Sequence, residues 1–173
     1  MAVTNREDKG RAGISAFLVD RGTAGFIVER RIPMIGGAYT YEVVLDNCRV
    51  PDWKLLGVEG QGFAPMQLRL STRRLEMASW CIGIAQRALD MMCEYAPQRI
   101  TFGAPLAARQ TIQWWVADAA TQIHACRLMA YDAAWKVDEG RNARSELSMV
   151  KVFATEMAWD IVDKAIQDRK SVV

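Results

Sequence analysis

The stretch QTIQWWVADAATQIHACRLMAYDAAWKV, residues 110–137, decides the fold of this chain. Within it Ile112, Val116, Ala119, Ile123, Cys126, Ala130, Ala133 and Val137 recur at alternating steps of four and three, which lays one apolar stripe along a helix. Such steps suit antiparallel packing in a helical bundle. Gly140 supplies the stop. Neighbouring positions on a helix point about 100° apart, so one of Trp114 and Trp115 belongs in the core and the other faces outward.

Toward the C-terminus, Leu147, Val150, Ala154, Met157, Ile161 and Ala165 mark another helix, with Ser145 as its expected cap. Toward the N-terminus, Met66, Leu70, Met77, Cys81, Ile84, Ala88, Met91 and Tyr95 trace a stripe on a helix that begins near Phe63, with Arg73 in the seam. Pro97 ends or kinks that helix, because it lacks an N–H and crowds the preceding turn. The residues after it, Arg99-Ile-Thr-Phe-Gly103, then fall in an irregular connection with free backbone groups. Arg99, Thr101 and Phe102 together suit an anionic, planar ligand: a guanidinium for phosphate oxygens, a neutral donor and an apolar ring face.

Before residue 58 the period is different. Ile14–Val19, Phe26–Ile32 and Tyr41–Leu45 are short and rich in β-branched or aromatic residues, and Gly22-Thr-Ala-Gly25 and Gly36-Gly37 separate them. Three such strands cannot close a barrel, so this half is expected to be incomplete. The reading is therefore α+β: a partial antiparallel β-domain over 1–58 and an up-and-down bundle of three helices over 59–167.

With 51% apolar and 24% charged residues, the composition is that of a globular protein. A net charge of +2 with interleaved signs offers neither a nucleic-acid groove nor a basic membrane face. The longest uncharged runs reach ten residues, about half a membrane span. The polar Thr4–Lys9 segment is no signal-peptide core, which points to a reducing compartment, the cytoplasm or, in a eukaryote, the mitochondrion. Cys81, Cys93 and Cys126 lie on helical patterns and read as small buried residues. His124 is the only histidine, which excludes a histidine-built metal site and a Ser-His-Asp triad. Gly57, Gly60 and Gly62 have the wrong order for a dinucleotide fingerprint and read as a loop.

Several segments together resemble the acyl-CoA dehydrogenase family: Ile14-Ser-Ala-Phe-Leu-Val19, Leu45-Asp-Asn-Cys-Arg-Val-Pro51, Leu55-Leu-Gly57 with Gly60-Gln-Gly62, Gly83 to Asp90, Arg99 to Leu106 with Gln110, and Lys151 to Gln167. Arg74, Trp80-Cys81 and Trp114-Trp115 are most similar to the branch related to eukaryotic dehydrogenases fused to kinase-like domains. The resemblance implies an FAD-dependent α,β-dehydrogenase of acyl-CoA thioesters that passes electrons to an electron-transferring flavoprotein and assembles as a homodimer or homotetramer. It implies FAD contacts, made to a neighbouring subunit, at Arg99, Thr101, Phe102, Gln110 and Gln167, and substrate contacts at Ser71, Arg73 and Arg74. Ser71 stands where some members have an acidic residue.

No catalytic base is assigned. Most members place it beyond the stretch matched by this chain, and a few use a glutamate at the position of Arg73. Glu76 lies about 200° around the helix from Arg74. The Gly-Gly turn that follows the family's glutamine is replaced by Asp168-Arg-Lys-Ser-Val-Val173, a string that GAT CGG AAG AGC GTC GTG encodes and that resembles a sequencing adapter. Residues 168–173 are accordingly expected to be a non-native tail that leaves the helical seam, and the chain an inactive fragment. The alternatives are an oxidase or another flavoenzyme of the same fold, or a noncatalytic helical interaction module.

Overall fold

The structure is a computed structural model that describes residues 1–7 and 11–169. It is α+β and divides into two compact units, Met1–Leu68 and a second that opens at Arg69.

In the first unit, β1 (Ala2–Val3) pairs antiparallel with β2 (Ile14–Ser15), and β3 (Phe26–Pro33) pairs antiparallel with β4 (Tyr39–Leu45) around a bulge between Val28 and Arg31. The strand expected over Ile14–Val19 is shorter than its β-branched composition suggests. Among the described residues no regular strand lies beside its second half, and its backbone groups are met by loops: Leu18 N–H donates to the Lys54 carbonyl at 2.9 Å, and Leu56 N–H to the Ala16 carbonyl at 2.8 Å. The glycine loop closes against the same segment. Gly60 N–H donates to the Ser15 hydroxyl at 2.8 Å, and that hydroxyl shares a 2.7 Å bond with Thr4. A Cβ on Gly62 would collide with the Ala16 backbone nitrogen. Gly60 and Gly62 thus serve close backbone approach within this loop.

Three helices follow: α1 (Phe63–Tyr95), α2 (Gln110–Asp138) and α3 (Arg144–Arg169). In the second unit one apolar cluster joins them, with Met92, Ile123, Cys126, Val150 and Ile161 among its most enclosed side chains. The α2 stripe is buried from Ile112 to Ala133, with Val116 partly covered and Val137 exposed in the last turn. All six expected positions of α3 are buried.

The α1 stripe lies one position further on than its larger residues suggest. Ala78, Ile82, Ala85, Ala88, Leu89 and Met92 face the core, while Ile84 is 56% exposed. A one-residue shift rotates the buried face by about 100°. Small side chains let helix backbones approach closely, so the alanine-bearing line packs and the bulkier one is left outside. Trp115 packs against the core and Trp114 is exposed. Cys126 is buried and Cys81 half-buried, but Cys93, one step past Met92, is exposed.

The helix ends follow local chemistry. Gly140, at φ +68°, sits in the left-handed region, and Arg141 N–H reaches back to the Lys136 carbonyl at 2.9 Å, which satisfies an orphan acceptor of α2. At α3, Asn142 rather than Ser145 caps: its Oδ1 accepts Arg144 N–H at 3.3 Å, because Ser145 already lies inside the first turn. Lys136 pairs with Asp132 on its own helix at 2.8 Å and ties α2 to α3 through Glu146 at 3.0 Å.

α3 continues past Gln167 through Asp168 and Arg169, contrary to the expected break. Helical hydrogen bonds are made by the backbone, so a polar residue at a seam position does not stop the helix. The rest of the suspected tail, 170–173, lies outside the described residues.

Candidate functional site

α1 ends at Tyr95, before Pro97, and the chain turns at once into a regular hairpin in place of the irregular connection expected there. Residues β5 (Ile100–Thr101) and β6 (Ala104–Pro105) pair with Thr101 opposite Ala104, which leaves a two-residue loop of Phe102 and Gly103. Both have positive φ, +50° and +78°, as a tight hairpin turn demands. Glycine meets that demand without strain. A phenylalanine there is unusual, and its ring is fully solvent-exposed. An aromatic side chain held at the tip of a strained turn is available to a ligand or partner and contributes nothing to this chain's own core.

Arg109, which the sequence analysis did not single out, holds the hairpin in place. Its Nη2 donates to the Thr101 carbonyl at 2.7 Å, and its guanidinium lies 5.9 Å from the Phe102 ring centre. The signal was its position directly before α2, within reach of any turn folded back from α1.

Between this hairpin and the last turn of α3 lies a cleft of about 490 Å³. Arg99, Thr101, Phe102 and Arg109 form one side, Gln167 and Asp168 the other, and Leu106, Ile112 and Trp115 give it an apolar wall. Four of the five expected cofactor contacts are thus gathered from positions as far apart as 99 and 167. Gln110 is exposed at the start of α2 and does not line the cleft. Arg99 is half-buried and has no carboxylate within salt-bridge distance among the described residues. Asp168 is only 7% exposed, and neither carboxyl oxygen has a hydrogen-bond partner among the described residues. Burial pushes its carboxyl above the usual range, and the Arg169 charge opposes that only partly.

The other expected set lies near the far end of the same helix. Ser71, Arg73 and Arg74 are half-buried on α1. About 33 Å of helix separates Arg73 from Tyr95, so these residues and the cleft are separate sites. Arg73 is committed locally: it bonds Glu76 at 2.6 Å, and its guanidinium stands 4.5 Å from the Trp80 ring centre. Arg69 reaches the same carboxylate at 3.4 Å. The Arg73 hydrogen bond, with the charges of Arg69 and Arg73, holds Glu76 below the ordinary carboxylate range. An acid so stabilised as its anion is a poor proton acceptor. Arg74 has no ion-pair partner among the described residues.

Among the described residues, no group of three or more His, Cys, Asp or Glu side chains could hold a metal ion, and no helix is long and apolar enough to cross a membrane.

Residues 60–168 match the family described as Acyl-CoA dehydrogenase, C-terminal domain. Over 168 residues the chain is 42% identical to (R)-benzylsuccinyl-CoA dehydrogenase of Thauera aromatica, covering 96% of this chain and 41% of that protein. Butyryl-CoA dehydrogenase from Megasphaera elsdenii superposes with a TM-score of 0.89 at 35% identity, covering 96% of this chain and 44% of that one. PigA, solved with FAD and proline, superposes with a TM-score of 0.92 at 30% identity, covering 97% and 44%. The chain spans about two-fifths of the length of the relatives it matches. The seam of the three helices, the hairpin between the first two and the matched residues 60–168 agree: this chain belongs to the acyl-CoA dehydrogenase family.

Proposed function

We propose that this chain is the cofactor-contacting portion of an FAD-dependent dehydrogenase of acyl-CoA thioesters, and that it does not turn over substrate alone. The observation that carries the reading is the cleft, where Arg99, Thr101 and Phe102 meet Gln167. A flavin nucleotide presents a diphosphate, hydrogen-bonding heteroatoms and flat rings. Arg99 suits the diphosphate, Thr101 and Gln167 suit neutral polar edges, and Phe102 and Trp115 suit a ring. The one group that does not fit is Asp168, an acid among these contacts. Bound FAD would supply the hydride acceptor; the residues of this chain bind and orient it.

Proton abstraction is assigned to no residue here. Glu76 is tied to Arg73, and Arg73 occupies the position at which some family members carry a glutamate. In the assembled enzyme we place Ser71, Arg73 and Arg74 along the acyl-CoA path, an electron-transferring flavoprotein as acceptor, and the cleft against the FAD of a second subunit in a homodimer or homotetramer. The division at 58 and 59, with residues 168–173 as a foreign tail, belongs to the same proposal.

The test is Arg99→Ala in the assembled enzyme. A charge-assisted bond to phosphate is worth about 1.5–3 kcal/mol, so FAD affinity should fall by about ten- to a hundredfold. Unchanged flavin affinity and an unchanged visible spectrum would remove the assignment. A second reading, a flavoenzyme of this fold acting on a substrate other than a CoA thioester, is favoured by the likeness to PigA, which was solved with FAD and proline. Retention of FAD with no affinity for any acyl-CoA analogue selects it.

A further inference from the structure

We propose that α2 carries a second seam on its outward face, and that a second copy of this chain packs on it, antiparallel and about a two-fold axis. Trp114, Ala117, Thr121, His124, Leu128 and Tyr131 recur at alternating steps of three and four, so they form one stripe about 26 Å long. Each stands two positions from a buried residue of α2, about 200° around the helix, and all six are exposed. Trp114 is 59% exposed, Leu128 54% and Tyr131 66%. The stripe holds no Asp, Glu, Lys or Arg. A helix with an uncharged stripe on each side calls for cover on each side. None of the six lines the hairpin cleft, so the inference goes beyond the cofactor reading and does not depend on it.

The stripe is complementary to itself read backwards, which selects a second copy as its occupant. In an antiparallel pair centred on the stripe, Trp114 meets Tyr131, Ala117 meets Leu128 and Thr121 meets His124, and the two-fold axis makes each contact twice. Aromatic rings then pair at both ends, and the leucine falls on the smallest residue. Ala117 also borders an apolar groove of about 400 Å³ walled by Ala96, Ala107 and Ala120, a hollow that an incoming Leu128 fills. The Thr121 hydroxyl is bonded back to the Ala117 carbonyl at 2.8 Å, so its donor is met within its own helix and its methyl group is left for the second copy. At these exposures the six positions offer about 550 Å² per copy, and pairing them buries about 1,100 Å², above the roughly 1,000 Å² that a specific interface must clear.

The β3–β4 ribbon is a separate adhesive surface, so the 173-residue chain is first given Val28→Lys with Val43→Glu, opposite charges at paired positions that blunt it. In sedimentation equilibrium at micromolar concentration this parent should weigh twice 19.4 kDa. Adding Leu128→Glu should weaken the dimer about a hundredfold, because two carboxylates must then enter apolar surroundings at about tenfold each. Ala117→Lys should weaken it similarly. The two changes together should bring the dimer back to within about tenfold of the parent, since each new carboxylate then meets the second copy's new ammonium group. Both positions are exposed, so helix content by circular dichroism should stay unchanged in every variant. A monomeric parent, or a dimer that survives Leu128→Glu, overturns the proposal, and the stripe then serves a different occupant or none. Loss of the dimer in the single variants without recovery in the combined one overturns the antiparallel pairing on which the proposal stands.

Discussion

Arg73 and Arg74 are neighbours with different electrostatic positions, and that difference separates a structural arginine from a binding one. Arg73 has its charge matched by Glu76 and its flat face covered by Trp80. To contact a substrate it would first have to give up both. Arg74, one step around the helix, has no ion pair among the described residues and can meet an anion without that loss. Arg74→Ala in the assembled enzyme should weaken binding of a nonreactive acyl-CoA analogue by about tenfold, the worth of one charged hydrogen bond, and leave the FAD content unchanged. Calorimetric titration and the flavin absorbance test both halves. Loss of flavin, or unaltered analogue binding, would show that Arg74 belongs to the fold.

At the scale of the element, α3 carries its apolar seam through Leu147, Val150, Ala154, Met157, Ile161 and Ala165, and the next step falls on Asp168. A carboxyl at a seam position loses its hydration and gains no partner. Asp168→Leu should therefore stabilise the chain at neutral pH by about 1–3 kcal/mol, the usual cost of an unsatisfied buried polar group. The sign of the pH dependence follows from the upward shift. Between the ordinary carboxylate range and the raised folded value, the native state binds more protons than the unfolded state, so native stability falls as pH rises through that window. Below the window that loss disappears, and with it the charge-related part of the leucine variant's advantage. Urea unfolding of both proteins at acid and neutral pH measures this, and equal stabilities at neutral pH would refute it. The hairpin behaves differently as an element. Its turn holds Phe102 at a φ that costs energy and buries none of its ring, so its shape is maintained by Arg109 and the ladder between Thr101 and Ala104.

At the scale of the whole molecule, the two units differ in how well they cover themselves. The helices enclose an alanine-rich core, but the β3–β4 ribbon pairs with no further strand among the described residues and leaves Ile27, Val28, Tyr41 and Val43 exposed. A long two-stranded ribbon with free edges and apolar faces is a template for association. The isolated chain should show a rising apparent mass with concentration in sedimentation velocity. Introducing opposite charges at the directly paired positions, as Val28→Lys with Val43→Glu, should suppress that rise while keeping the ribbon, since these residues face each other across the ladder. A native chain that stays monomeric at all concentrations would contradict the prediction.

The sequence by itself determined the three helices, their antiparallel packing, and the stops at Pro97 and Gly140. The 3.5-residue spacing of α2 and α3, Pro97 and Gly140 act within a few residues along the chain, and such local signals need no knowledge of what lies across the core. It also marked Arg99, Thr101 and Phe102 as ligand groups by their chemistry, and Gln167 through the family resemblance. Tertiary structure decided which face of α1 is buried, because close helix packing selects the alanine line over the larger residues beside it. It decided that Arg109 braces the hairpin, that Gln110 stands outside the cleft, and that Asp168 lies inside it without a partner. These outcomes depend on which side chains meet across positions 99 to 168, and that juxtaposition exists only once α1, α2 and α3 have packed.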